Sequence, residues 1–150
     1  MLLNFTNGEP FATGAVSYRL PQDGADATRI TIGVEIEENL TEAIVDTATP
    51  YIICSPSLAK LLNLDPASGM KANRMLMRGI WVEGRLYRIN ISLLADEGEA
   101  LSIEAPAFVP DLTQDFTEGF LPRSFLGWTQ CLESVRFAVD SFTETFYFGN

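Results

Sequence analysis

The chain contains no histidine among its 150 residues. Serine and cysteine nucleophiles that depend on a histidine base are therefore excluded within the chain, and so is a zinc site built from Cys and His. Hydrolytic chemistry would have to be carried by carboxylates, lysine, tyrosine or an exogenous metal. Only two cysteines are present, Cys54 and Cys131, and we interpret both as buried free thiols. We expect no metal and no cofactor.

Basic charge is also scarce. Ten Lys and Arg stand against twenty Asp and Glu, which gives a net charge of −10. We expect no nucleic-acid partner, because such affinity comes largely from basic side chains, and the same charge would repel anionic lipid surfaces. No apolar run approaches the roughly 20 residues of a membrane-spanning helix, and residues 1–8 do not resemble a signal peptide. The prediction is a soluble, cytoplasmic protein with no membrane partner.

Long helical periodicity is missing as well, whereas strand patterns are frequent. Branched apolar residues alternate at positions 30, 32, 34 and 36, and residues 43–45 predict a second strand that ends at Asp46. Ser55 and Pro56 predict the start of a short helix that ends near Asn63. These patterns predict an all-β, barrel-like or sandwich domain over 29–150. Residues 1–28 are predicted to form an arm with one edge strand.

The longest strand signal lies over residues 74–94, which predict a hairpin that reverses around Glu83 and Gly84. Ile80, Trp81 and Val82 lie on its first arm. The remaining predicted elements are strands over 101–109, 135–139 and 145–148 and a short helix over 127–133.

Residues 43–49 read Ala-Ile-Val-Asp-Thr-Ala-Thr, an apolar strand that leads an acidic residue into a tight turn of small and hydroxylated residues. This segment resembles the active-site loop of aspartic peptidases, in which two apolar residues precede Asp-Thr-Gly. Ser124 to Gly127 resemble the second signature of the retropepsin family, two apolar residues and a glycine. The long hairpin between them resembles the family's flap, and the ordered resemblance extends over roughly residues 29–149.

The resemblance implies a closed or partly open retropepsin-like β-barrel with one or two short helices that works as a homodimer. It implies that Asp46 is the catalytic carboxylate, in a loop completed by Thr47, Ala48 and Thr49. The supporting and substrate-facing positions that it implies are Phe125, Leu126 and Gly127 beneath the loop and Ile80, Trp81 and Val82 on the flap.

The dimer follows from the chemistry of this family. Two carboxylates within hydrogen-bond reach share one proton, so that one activates water while the other polarises the scissile carbonyl. The chain has one suitable loop, since Asp140 is followed by the bulky Phe142 and is interpreted as a hairpin end. Two copies of Asp46 would therefore meet at a two-fold axis, with a peptide or protein as substrate.

Departures from the family pattern leave three functional hypotheses open. Ala48 replaces the usual glycine, and Pro50 and Trp128 stand where viral relatives commonly place an Asp and an Arg that pair. The leading hypothesis is an aspartic endopeptidase. The second is a catalytically silent retropepsin-like dimer that binds peptides or acts as an interaction module, and the third is a structural β-domain in which Asp46 only forms a turn.

Overall fold

The computed structural model describes residues 2–150, which fold mostly into β-strands. One α-helix, α1 (Pro56–Leu62), is present in this part of the chain. Short 3-10 turns occupy Gly24–Asp26, Pro66–Ser68 and Leu132–Ser134, the last of which overlaps the end of the segment predicted as a helix, 127–133. The strands are β1 (Gly14–Ser17), β2 (Thr31–Ile36), β3 (Asn39–Val45), β4 (Ile52–Ile53), β5 (Met70–Lys71), β6 (Met75–Met77), β7 (Ile80–Val82), β8 (Gly84–Leu93), β9 (Glu97–Gly98), β10 (Leu101–Pro110), β11 (Ser124–Leu126), β12 (Arg136–Asp140) and β13 (Thr145–Gly149).

Six strands close into a barrel. They follow the order β10-β4-β11-β3-β2-β8, and β8 pairs antiparallel with β10 along its whole length, from Gly84 opposite Pro110 to Leu93 opposite Leu101. Apolar side chains fill the interior, as the alternation in β2 predicts: Ile32, Val34 and Ile36 are all buried. The prediction of a barrel-like, mainly β fold is confirmed.

Local signals at α1 act as predicted. The Ser55 Oγ accepts a hydrogen bond from the Leu58 N–H at 3.2 Å, and Pro56 occupies the first helical turn. Asn63 ends the helix in the left-handed region at φ 45°. No helix in residues 2–150 is both long enough and apolar enough to cross a membrane.

A second sheet joins the two ends of the described chain in the order β12-β13-β1-β9. The edge-strand prediction for residues 1–28 is wrong, because β1 lies between β13 and β9. Val16 of β1 packs in the same core cluster as Ile32 and Phe146. The domain boundary at residue 29 stays a prediction.

The long hairpin reverses at a different place from the one predicted. Strands β6 and β7 pair with each other around Arg78 and Gly79, whose φ angles of 50° and 79° are those of a type I′ turn. Glu83 and Gly84 form no hairpin turn, since β8 starts at Gly84 and pairs with β10 and β2. We call residues 75–82 the flap hairpin. The apolar runs on both sides of Glu83 had suggested two arms of one hairpin, but they belong to different sheets.

Candidate active site

Asp46 lies directly after β3, at a point where two distant parts of the chain meet. Strand β11 runs parallel to β3, with Ser124 opposite Ala43 and Leu126 opposite Val45. The Asp46 N–H continues this ladder and donates to the Leu126 carbonyl oxygen at 3.0 Å. The backbone of Asp46 is therefore fixed by residues of the second predicted motif.

The loop after Asp46 is a tight turn. The Ala48 N–H donates to the Asp46 Oδ1 at 2.9 Å, and the Thr49 N–H donates to the Asp46 carbonyl oxygen at 3.2 Å. The Thr49 hydroxyl makes no hydrogen bond with the residues that the structure describes. Ala48 does not have a positive φ, so its methyl group adds no left-handed strain. Thr47 and Ala48 are exposed.

The turn alone does not distinguish Asp46 from other aspartates. In Asp65, Asp111 and Asp140 the Oδ1 likewise accepts a hydrogen bond at 2.9 Å from the backbone N–H two residues later. What is particular to Asp46 has to be found in its surroundings.

Phe125, Leu126 and Gly127 lie next to the loop. Leu126 is fully buried and Phe125 nearly so. A Cβ atom on Gly127 would lie 2.0 Å from the Tyr51 carbonyl oxygen and 2.7 Å from that of Thr49, so only glycine fits this position without a shift of the backbone. The Trp128 N–H donates to the Thr49 carbonyl oxygen at 2.8 Å, which joins the two predicted motifs a second time.

Arg29 is a site residue that the sequence reasoning missed. Its Nη1 lies 3.5 Å from the Asp46 Oδ2, and its side chain is 46% exposed against 23% for Asp46. The hairpin register explains the contact: Ile36 pairs with Asn39 and Thr31 with Ile44, so counting back places Arg29 opposite Asp46. A prediction that extended the β2–β3 register by two residues would have found this ion pair.

A cavity of about 270 Å³ opens beside the Asp46 carboxylate. Its lining includes Phe125, strand β6 and Arg78 of the flap hairpin. Eight of its twelve lining residues are apolar, and the four polar ones include two arginines and Asp46. The full lining consists of Arg29, Asp46, Ala48, Thr49, Pro50, Ile53, Met75, Leu76, Met77, Arg78, Leu121 and Phe125.

Of the hairpin strands, β6 lines this cavity and β7 does not. Val82 is fully buried in the core, whereas Ile80 and Trp81 are exposed. The Arg74 guanidinium lies over the Trp81 ring at 4.4 Å from its centroid. That Ile80, Trp81 and Val82 contact a bound peptide stays a prediction.

A larger cavity of about 540 Å³ lies elsewhere, with Tyr87, Lys71 and Asp111 in its lining. It includes neither Asp46 nor its loop. Cys54 and Cys131 are both free and buried, as predicted, and burial raises the pKa of each thiol to about 12. Neither thiol is therefore a nucleophile near neutral pH. Both cavities contain carboxylates, Glu83 and Asp111 in the larger and Asp46 in the smaller, but only the smaller one adjoins the loop that resembles an aspartic-peptidase motif.

A closed six-stranded barrel whose Asp-containing loop follows a parallel strand pair and faces a cavity lined by a hairpin is the acid-protease class of fold. Comparison with solved structures agrees with this assignment of the fold. No family model matches the chain, and no curated protein matches it either. Among solved structures, a retropepsin-like aspartic protease from Rickettsia conorii superposes with a TM-score of 0.59 at 18% identity, over 90% of this chain and 89% of that chain.

A second solved structure, the EIAV protease complexed with the inhibitor HBY-793, superposes with a TM-score of 0.48 at 18% identity, over 75% of this chain and 88% of that one. That likeness is too low to carry an argument. The Rickettsia likeness is sufficient for the fold: this chain has the retropepsin-like fold, which confirms at fold level the resemblance inferred from its sequence.

Proposed function

We propose that the chain is an aspartic endopeptidase that acts as a homodimer on extended peptide segments. The observation that carries this proposal is the position of the Asp46 carboxylate, partly exposed beside a cavity that the flap hairpin also lines. Asp65, Asp111 and Asp140 share its local turn but not this cavity. A peptide bond held in the cavity would lie within reach of the carboxylate.

The mechanism requires a second carboxylate from another copy. Asp140 is unsuitable as an internal partner, because it ends β12 in the other sheet and its loop continues into the fully exposed Phe142. In a two-fold dimer the two Asp46 side chains would share a proton across the axis, one as base for the attacking water and the other as acid toward the carbonyl oxygen. Thr47 and Trp128 lie exposed next to Asp46 and would be covered by the partner.

A catalytically silent retropepsin-like dimer that binds peptides is the second candidate. Two observations favour it. Ala48 adds a methyl group at the exposed edge of the loop, where substrate would pass, and the Arg29 guanidinium already contacts the Asp46 Oδ2 that a second carboxylate would have to approach. In this case Asp46 and Arg29 would form a structural ion pair at the floor of a peptide groove.

We further propose that the protein works in the cytoplasm. Two free thiols in place of a disulfide are typical of a reducing compartment.

Cleavage of a peptide library between about pH 3 and 7 separates the two candidates. If the protein is a peptidase, Asp46→Asn abolishes cleavage, because an amide cannot act as the base. Asp140→Asn is the matched control, since Asp140 forms the same turn, with its Oδ1 accepting from the Phe142 N–H at 2.9 Å, outside the cavity. It should cleave like wild type.

Two outcomes count against the peptidase. Equal activity of Asp46→Asn and wild type would show that cleavage does not depend on this carboxylate. No cleavage by any variant, together with saturable binding of a pepstatin-type inhibitor that Asp46→Asn weakens, would support the silent module.

A further inference from the structure

The flap hairpin is attached to the barrel without backbone pairing. Within the described residues, β6 and β7 form a two-stranded sheet of their own. An isolated two-stranded hairpin is marginally stable in water, so its position depends on side-chain contacts with the barrel. Met77 and Val82 supply apolar ones, packing with Phe108 and Phe125.

The tip of the flap hairpin makes a different kind of contact. Arg78, the first residue of the type I′ turn, forms an ion pair with the Oδ1 of Asp26, and its guanidinium also lies 5.9 Å from the centroid of the Phe125 ring. Asp26 belongs to the 3-10 turn Gly24–Asp26 and is only 1% exposed. A carboxylate this deeply buried is costly unless it is fully paired.

Asp26 is itself held in place by a second guanidinium. The Arg123 Nη1 donates to the Asp26 Oδ2 at 3.0 Å, and the Arg123 Nη2 donates to the Asp23 Oδ1 at 3.1 Å. The Arg123 Nε lies 3.4 Å from the Glu42 Oε2 of β3. Asp23 and Asp26 together raise the pKa of Arg123, with hydrogen bonding to Asp23 the largest cause. One oxygen of Asp26 is thus fixed to the barrel, and the other is satisfied by the flap tip.

We infer that Asp26 and Arg78 form a latch within one chain that holds the flap hairpin closed over Asp46. When the hairpin lifts, the Asp26 Oδ1 loses its charged partner, so opening is opposed by the loss of this ion pair. Arg78 and Met77 line the Asp46 cavity, so release of the latch would widen the path by which a ligand enters it. This last step rests on the proposed function; the latch itself does not.

Arg78→Asn tests the latch with little risk to the turn. Asn followed by Gly is the preferred pair for a type I′ turn, so the hairpin keeps its shape while the guanidinium is lost. We expect hydrogen exchange of the backbone amides in residues 75–82 to become about tenfold faster, the factor expected for loss of a charge-assisted hydrogen bond. Amides of the β8–β10 ladder serve as an internal reference and should not change.

Two further variants serve as controls. Arg74→Gln removes another cation at the base of the same hairpin, one that contacts Trp81 and not Asp26, and should leave exchange unchanged. Arg78→Lys keeps the charge and should fall between wild type and Arg78→Asn. Wild-type exchange in Arg78→Asn, or equal acceleration by Arg74→Gln, would overturn the latch.

The association rate of a pepstatin-type inhibitor tests the gating step separately. We expect faster association with Arg78→Asn than with wild type, since the closed state is less populated. An unchanged association rate in a variant with faster flap exchange would refute gating and leave the latch standing. Failure of every variant to bind inhibitor would count against the proposed function, while the exchange data would still decide the latch.

Discussion

Gly127 is the glycine at which an added Cβ atom would come closest to another atom, 2.0 Å from the Tyr51 carbonyl oxygen beside the Asp46 loop. Its missing side chain allows the Thr49 and Tyr51 carbonyl oxygens to approach, and the following N–H closes onto Thr49. The contact involves backbone atoms on both sides, which no change of side-chain rotamer can relieve. Any substituent here must move the loop that carries the candidate catalytic residue.

We therefore expect Gly127→Ala to lower the free energy of unfolding by about 2 kcal/mol or more, as overpacking against fixed atoms does. Urea denaturation measures it. Gly33→Ala is the matched control: Gly33 lies within β2, and a Cβ there meets no atom within 4 Å. Its stability should stay within about 0.5 kcal/mol of wild type or rise. Equal stability of the two variants would contradict the close approach.

Arg123 connects three elements of the fold. It precedes β11, contacts Glu42 of β3, and pairs with Asp23 and Asp26 of the N-terminal segment. Glu42 in turn binds Arg19, and the hydrogen bond from Arg19 is the main reason that the pKa of Glu42 is lowered. The strand that supports the Asp46 loop is thus tied to the segment that supports the flap hairpin.

Replacing Arg123 by Met should cost about 3 kcal/mol of folding stability, because Asp26 stays buried with one partner fewer. Arg88→Met provides the comparison. Arg88 pairs with Glu104 at 3.1 Å, but both side chains are more than half exposed, and such a pair contributes less than about 1 kcal/mol. Chemical denaturation measures the loss of folding stability in each variant. Similar losses in Arg123→Met and Arg88→Met would show that the burial of Asp26 does not determine the contribution of Arg123 to stability.

Elements with strong local signals could be predicted from the sequence, and those set by long-range pairing could not. The alternation in β2 and the capping signals at Ser55 and Pro56 act within a few residues, so both elements appear where they were predicted. The turn of the flap hairpin was predicted at the wrong residues because type I′ turns usually begin with Asn, Asp or Gly. Arg78 is none of these, although it adopts the same positive φ.

The candidate site shows the same division. The motif around Asp46 and the second motif that ends at Gly127 are contiguous segments, so both could be identified from the sequence. Arg29 was missed because the register of the β2–β3 hairpin was not extended beyond the two strands. Asp26 was missed because no local pattern encodes its contact with Arg78. The burial of a charged residue such as Asp26 depends on the assembled fold. In the sequence, the residues around Asp26 resemble an ordinary turn.

At the scale of the whole molecule, the proposal depends on a second copy meeting the first near Asp46. Trp128 is 43% exposed and is held against the loop through its N–H, so a partner on the Asp46 side would cover it. Buried aromatic residues are common anchors of protein interfaces. Trp128 therefore offers a direct way to disturb the proposed dimer.

We expect Trp128→Glu to change the mass measured by light scattering from dimer to monomer and to remove cleavage with it. Phe142→Glu is the control, because Phe142 is 99% exposed at the tip of the β12–β13 hairpin and lies in a different sheet from the loop. It should remain dimeric. A Trp128→Glu dimer with full activity would place the interface elsewhere, and a wild-type protein that is monomeric at every concentration would exclude the homodimer.

The parallel pairing of β3 with β11 also determines when during synthesis the Asp46 loop takes shape. The oxygen that fixes the Asp46 N–H belongs to Leu126, which follows Asp46 by 80 residues in the sequence. Until the ribosome has released that segment, a nascent polypeptide has the acidic residue but no support to hold it in place. The Asp46 loop can therefore take its folded shape only after the chain has been synthesised beyond Leu126.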